Sequence, residues 1–195
     1  MTDTSTAPAT RTFEGQAIPT AGTFAIDTSH TEISFVARHL MVTKVRGRFS
    51  DFEGTIEVGD DPRSSSVSVH IDAASLDSRD PQRDEHVRSA DFLDVEQFPH
   101  LAFRSTGVAH DGGDSWRVDG ELTVRDVTRP VTLDMTLDGV VTDPWGGQRL
   151  AFSARTELDR EAFGLTWNVA LESGGVLVGK KVVIEIEGQA VRQDG

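Results

Sequence analysis

The chain contains no cysteine among its 195 residues. That excludes disulfide cross-links, thiolate zinc sites and thiol nucleophiles, and leaves the redox compartment open. Tyrosine is also absent, so 10 Phe and 3 Trp carry the whole aromatic load. No apolar run reaches the length that crosses a bilayer as a helix. The start, Met1 to Pro8, has no basic residue and no apolar stretch of signal-peptide type, so the expected location is cytoplasmic. Cations are scarce: 19 Lys and Arg face 32 Asp and Glu, a formal net charge of −13. Such a surface repels nucleic-acid phosphates and, taken as a whole, disfavours docking on anionic lipid headgroups. Strand–helix–strand alternation is missing as well, which argues against a parallel α/β sheet.

What the chain does have is alternation at period two, the mark of half-buried strands. Eight segments carry it: 31–38, 45–58, 66–73, 100–108, 116–125, 130–141, 150–158 and 182–191. Strict alternation fails once, where Phe49 and Phe52 stand three apart, and a β-bulge near Ser50-Asp51 accounts for the slip. Asp111-Gly112-Gly113-Asp114 and Asp126-Val127-Thr128-Arg129 read as hairpin turns. One segment, Arg83 to Phe92, is not strand-like; Asp80 followed by Pro81 reads as an N-cap with proline at the first helical position. Residues 1–21, rich in Thr, Ala and Pro, read as a flexible lead-in with room for a short docked piece around Phe13 and Ile18. Residues 22–192 read as one domain: an all-β, eight-stranded antiparallel barrel with one short helical insert.

An eight-stranded barrel is at the size where side chains either just fill the interior or leave room for one ligand. The inward faces mix large residues (Phe35, Phe52, Phe103, Phe152) with small ones (Ala37, Gly54, Ser105, Gly120, Ala154, Thr156, Gly188, Ala190). Patterning alone leaves a filled and a hollow interior both open.

An ordered series of short motifs bears on that choice. It runs Phe24-Ala25-Ile26-Asp27-Thr28-Ser29-His30, Gly47-Arg48-Phe49, Arg83-Asp84-Glu85-His86-Val87, Ser89-Ala90-Asp91-Phe92-Leu93-Asp94 and Phe98-Pro99-His100. Gly120-Glu121-Leu122-Thr123-Val124 and Asp159-Arg160-Glu161-Ala162-Phe163-Gly164 complete it. The series resembles the YceI-like family of polyisoprenoid-binding proteins with a lipocalin-like barrel, over about Gly22 to Val191. The resemblance implies a helix beside an eight-stranded barrel, an elongated apolar cavity for an isoprenoid chain, no known catalytic chemistry and frequent homodimers. The expected ligand is a prenyl quinone or polyprenyl phosphate, held for storage, transport or sequestration, with no further cofactor. The expected lining is Ile33, Phe35, Phe52, Val69, Ile71, Phe92, Phe103, Leu122, Leu133, Met135, Phe152 and Trp167. This chain carries Leu40-Met41 after His39, where other members often have a smaller residue, and both are expected to reshape the cavity mouth.

The remaining motifs weigh less. Gly174 to Lys181 matches most of a phosphate-binding loop, but Lys181 replaces the magnesium-holding Ser/Thr and a strand follows instead of a helix. Asp27, Ser29 and His30 have the residue types of a catalytic triad at a spacing that makes a turn instead. Arg46 and Arg48 share one side of a strand and are candidates for a headgroup contact. Two rival readings stand beside the lipid carrier. One is an enzyme with Asp84 and His86 as acid and base; the other is a solid-core interaction module. The apolar stretch Phe163 to Leu171 caps the cavity or forms an interface.

Overall fold

Alternation makes each segment a strip with one apolar edge, and curling the strips into a closed wall buries that edge. The computed structural model describes residues 10–172 and 174–193. In chain order the strands are β1 (Thr10–Phe13), β2 (Gln16–Pro19), β3 (Gly22–Ile26), β4 (Glu32–His39), β5 (Thr43–Phe49), β6 (Phe52–Val58), β7 (Ser66–Asp72) and β8 (Leu76–Asp77). After the helix α1 (Pro81–Arg88) come β9 (His100–Gly112), β10 (Ser115–Val124), β11 (Val127–Thr142), β12 (Gln148–Asp159) and β13 (Val178–Arg192). β1 and β2 form a separate hairpin; the others form one antiparallel sheet that closes because β12 pairs with both β11 and β13. β3 with β4, β5 with β6, and β7 with β8 each occupy a single place in the wall, which therefore has the eight positions expected.

The slip between Phe49 and Phe52 is a break between β5 and β6. Ser50 and Asp51 lie outside the ladder, and both phenylalanines are buried, at 8% and 6% exposure. The two extra residues reset the phase of the alternation, so the inward face continues across the corner. The last strands run longer than their apolar alternation. The turn expected at 126–129 is instead Arg125-Asp126, with Arg125 at φ 57° and Val124 opposite Val127. Thr123 and Thr128, bonded side chain to side chain at 2.8 Å, pin that register.

Within the lead-in expected over 1–21, the docked piece around Phe13 and Ile18 is a β-hairpin, while residues 1–9 lie outside the described residues. The β1–β2 hairpin packs on one end of the barrel, with Ile18 only 2% exposed in a cluster with Phe24, Trp116, Leu137, Leu150 and Ala190. Trp116 Nε1 donates to Gln16 Oε1 at 3.0 Å. His110 touches Glu14 at 2.7 Å and stacks edge-on against Phe13. A bond to the Gly113 carbonyl, then Glu14, raises the His110 pKa above 6.5. The raised value means the contact favours folding most below the unfolded histidine pKa and fades as pH rises through the folded one. Protection factors of the hairpin amides, which have the intrinsic pH dependence of exchange divided out, should therefore fall as pH rises through the folded His110 pKa, and Glu14→Gln should flatten that dependence.

The opposite end is partly covered by α1, its following turns and the segment after β12. α1 starts as its sequence dictates: the Asp80 carboxylate accepts the Arg83 N–H at 3.1 Å, with Pro81 in the first turn.

Candidate functional site

The barrel is hollow. A cavity of about 1030 Å³ runs along it, from Ile18 and Pro19 at the hairpin end to His86 and Trp167 at the helix end. Eleven of the twelve expected lining residues face it: Ile33, Phe35, Val69, Ile71, Phe92, Phe103, Leu122, Leu133, Met135, Phe152 and Trp167. Phe52 is the exception. It belongs to the buried cluster of Ile71, Ala73 and Leu76, and Phe49, across the bulge, takes the place on the wall.

Why the large residues fail to fill the lumen is visible in their partners. Phe35 sits directly opposite Gly47, and Phe152 opposite Gly188. A Cβ at Gly47 would collide with the Phe35 ring, and one at Gly120 with the Phe103 ring. The rings therefore lie along the wall in space that glycine vacates. Phe35, Phe103 and Phe152 are only part-buried although they point inward, because the void, not another side chain, faces them.

The lining is apolar through its middle and polar at the helix end. There Arg38, His39, Ser78, Asp80, Gln82, Arg83, His86 and Arg160 reach it. Arg38 and Gln82 are also exposed to solvent, so the cavity reaches water at this end, as it does beside exposed Ser66 toward the other. Asp84 is not on the wall. It is buried, and its Oδ1 accepts from the Ser78 N–H at 2.9 Å and the Ser78 hydroxyl at 2.5 Å. Arg83 Nε donates to the same hydroxyl at 2.7 Å. His86 packs edge-on against Trp167, ring centroids 4.5 Å apart, with Nε2 2.9 Å from Asp91. The arrangement ties the insert to the barrel, and it leaves Asp84 no access to a guest.

Arg160 follows β12 and is 5% exposed, with no carboxylate within ion-pair range among the described residues. Its guanidinium donates to four carbonyls: Gly179 at 2.9 Å, Trp167 at 3.0 Å, Val178 at 3.3 Å, and Leu165. Burial pulls its pKa below the ordinary arginine value. The five-donor fork of arginine suits this task, since it straps the segment Phe163–Trp167 across the end of the barrel. Phe163, Leu165 and Trp167 from that segment line the cavity, so the apolar stretch caps it. The motif Asp159 to Gly164 was visible in the sequence; the strapping role was not, because the bonds go to backbone and leave no pairing signature.

Arg46 and Arg48 do not reach the cavity. Arg46 pairs with Glu185 at 2.9 Å and Arg48 with Asp77 at 3.5 Å on the outer surface, as their outward phase opposite inward Val45, Gly47 and Phe49 requires. Leu40 and Met41 do not reshape the mouth either; both are exposed in the β4–β5 turn and absent from the lining. Asp27, Ser29 and His30 form a turn: Asp27 Oδ1 accepts from the Ser29 N–H and hydroxyl, and Oδ2 meets His30 Nδ1 at 2.8 Å and Arg149 at 2.6 Å. These bonds, Ser29 foremost, hold the Asp27 carboxyl well below the usual carboxylate range. Gly174 and Gly175 make a tight turn at φ 83° and 93° into β13, with no helix behind them to cradle a phosphate.

The fold and sequence both have relatives. BcnA of Burkholderia cenocepacia superposes with a TM-score of 0.72 at 22% identity, covering 84% of this chain and 98% of that one. A polyisoprenoid-binding domain from Saccharophagus degradans, implicated in plant cell wall breakdown, superposes at 0.61 and 12% identity, covering 89% and 99%. At those identities the likeness speaks for the fold. In sequence, a UPF0312 protein of Vibrio cholerae is 39% identical over 150 residues, 74% of this chain and 78% of that protein. Protein YceI of Salmonella newport is 37% identical over 160 residues, 82% and 81%. The profile of the YceI-like domain matches residues 24–190, from the first wall strand nearly to the end of the last, and by that match the chain belongs to the YceI-like family.

Proposed function

We propose that this protein binds one long-chain isoprenoid lipid, a prenyl quinone or polyprenyl phosphate, inside the barrel, for storage, transport or sequestration. The carrying observation is the apolar cavity of about 1030 Å³. It is roughly seven times the ~150 Å³ that admits a single benzene, which scales to a chain on the order of forty carbons. Each isoprene unit fully withdrawn from water contributes at most about 4 kcal/mol, at ~0.8 kcal/mol per buried carbon. A few units therefore suffice for tight binding after chain ordering is subtracted. The headgroup belongs at the helix end, beside Arg38, His39, Arg83 and His86, where polar side chains meet solvent. The family, and the polyisoprenoid-binding domain of like fold, support the ligand class.

The reaction-chamber reading loses its acid–base pair, because Asp84 is spent on Ser78. The solid-core reading loses its premise to the void. Organic extraction of protein purified from its source, followed by mass spectrometry, should recover a prenyl lipid. Added prenyl lipid at about a hundred times its Kd should stabilise the fold by ~2.7 kcal/mol, a Tm rise of about 5–10 °C. Recovery of no lipid together with an unmoved Tm would refute the proposal.

A further inference from the structure

A molecule with 32 acidic side chains has one long stretch of chain without them. From Ile33 to Ser50 there is no carboxylate, while Arg38, Lys44, Arg46 and Arg48 all lie in that span. Arg46 and Arg48 are paired across the wall, but Arg38 and Lys44 make no ion pair among the described residues. They are also directly opposite each other on β4 and β5. Like charges facing across a strand pair destabilise it, and no carboxylate among the described residues lies within ion-pair range of either.

The turn these two cations flank is apolar. Leu40, Met41 and Val42 are exposed, Val42 at 78%, and Leu40 and Met41 hold left-handed backbone at φ 52° and 61° that non-glycine residues seldom take. The apolar edge continues sideways through backbone bonds. Leu40 N–H donates to the Leu177 carbonyl at 2.8 Å, and Leu177 N–H to the Val169 carbonyl at 2.9 Å, which sets exposed Val169 two strand spacings away. Arg38, His39, Trp167 and Leu177 belong to both this edge and the end of the cavity.

We propose that the β4–β5 turn is a membrane-docking tip. Leu40, Met41, Val42 and Val169 enter the boundary of an anionic bilayer, Arg38 and Lys44 meet its phosphates, and the open end of the barrel is thereby set against the lipid. The inference rests on the lipid-carrying reading for its purpose, since a prenyl chain does not cross water freely, but the tip stands on its own geometry. It also reverses locally what the net charge argues globally. At about 0.1 M salt the Debye length is about 10 Å, so carboxylates elsewhere on the surface are screened while the tip is in contact. A second copy of the chain fits the edge less well, because a symmetric pairing would bring Arg38 and Lys44 against their own counterparts.

The test is co-sedimentation of the full chain with vesicles of phosphatidylcholine and phosphatidylglycerol in equal parts, against vesicles of phosphatidylcholine alone, at about 0.1 M salt. Binding should favour the anionic vesicles. The double variant Met41→Asp/Val42→Asp should lower partitioning at least tenfold, and Lys44→Ala about fivefold, the equivalent of ~1 kcal/mol for one basic residue at a charged membrane. Aspartate tolerates left-handed backbone, and all three positions are exposed, so an unchanged Tm checks the fold. Equilibrium uptake of a prenyl lipid delivered from ethanol should be the same in wild type and variants, because none of the three residues lines the cavity. Wild-type protein that ignores anionic vesicles, or binds them equally well with the double variant, overturns the tip even if prenyl uptake is intact. A dimer that the double variant dissociates, with no vesicle binding, would assign the edge to a second copy and overturn it likewise. Vesicle binding without prenyl uptake would leave the tip and remove the proposed cargo.

Discussion

Replacing Arg160 with methionine is expected to cost about 2–4 kcal/mol of stability, read as a fall in the urea midpoint at unchanged slope. The estimate comes from what is left behind. Val178 keeps a second donor in Asn168 Nδ2 at 2.7 Å, but the Arg160 fork serves the carbonyls of Gly179, Leu165 and Trp167 as well. Each buried acceptor stripped of its donor costs about 1–3 kcal/mol, reduced here because the neighbouring void admits water. Methionine matches the apolar stem, so the loss isolates the guanidinium. Arg160→Lys should recover little, since one ammonium cannot span carbonyls on both the capping segment and β13. The functional consequence follows from position: with the strap gone, Phe163, Leu165 and Trp167 no longer hold their cover over that end of the cavity, and dissociation of a bound prenyl lipid should quicken. A variant as stable as wild type would mean that the four bonds are made in the unfolded ensemble as well, or are replaced by water at no cost.

Two glycine substitutions of identical chemistry should behave differently. Gly120→Ala is expected to cost about 1–3 kcal/mol, the range for overpacking. Its new methyl would meet not only the Phe103 ring but the Arg104 carbonyl at 2.7 Å, and backbone paired on both sides cannot yield. Gly47→Ala should cost under ~1 kcal/mol, because its three nearest atoms all belong to the Phe35 ring, which has an empty lumen to swing into. That swing takes volume from the guest. Gly47→Ala should therefore weaken prenyl binding more than it lowers Tm, and Gly120→Ala the reverse. Equal thermal losses in the two variants would contradict the account of why the barrel is hollow.

The wall was legible because period two is a local property: Ile33 and Phe35, or Leu133 and Met135, declare their face by spacing alone, and nine of the ten strand residues so chosen line the cavity. Phe52 failed because facing inward is not the same as facing the lumen. At a corner, the inward side is occupied by Ile71, Ala73 and Leu76. Arg46 and Arg48 failed on phase, since a residue beside inward Val45 and Gly47 must point out, and the same alternation that found the wall would have excluded them. The opening's own polar groups were hidden for another reason. Arg38, Arg83 and Arg160 come from three segments that only the closed barrel assembles, and no spacing in the chain links them. The hairpin from Thr10 to Pro19 was obscured by composition: its Thr and Pro content reads as unfolded, while Ile18 and Phe13 supply just enough apolar surface to dock it.

That hairpin sets the length of the compartment. The staves of the barrel are continuous with a domain spanning 24–190, yet the stopper at the base, Ile18 and Pro19, comes from upstream of it. Shortening or bulking out that stopper would change how many carbons fit without altering a single residue of the staves. Selection for guests of different length could thus act on those two residues rather than on the whole cylinder.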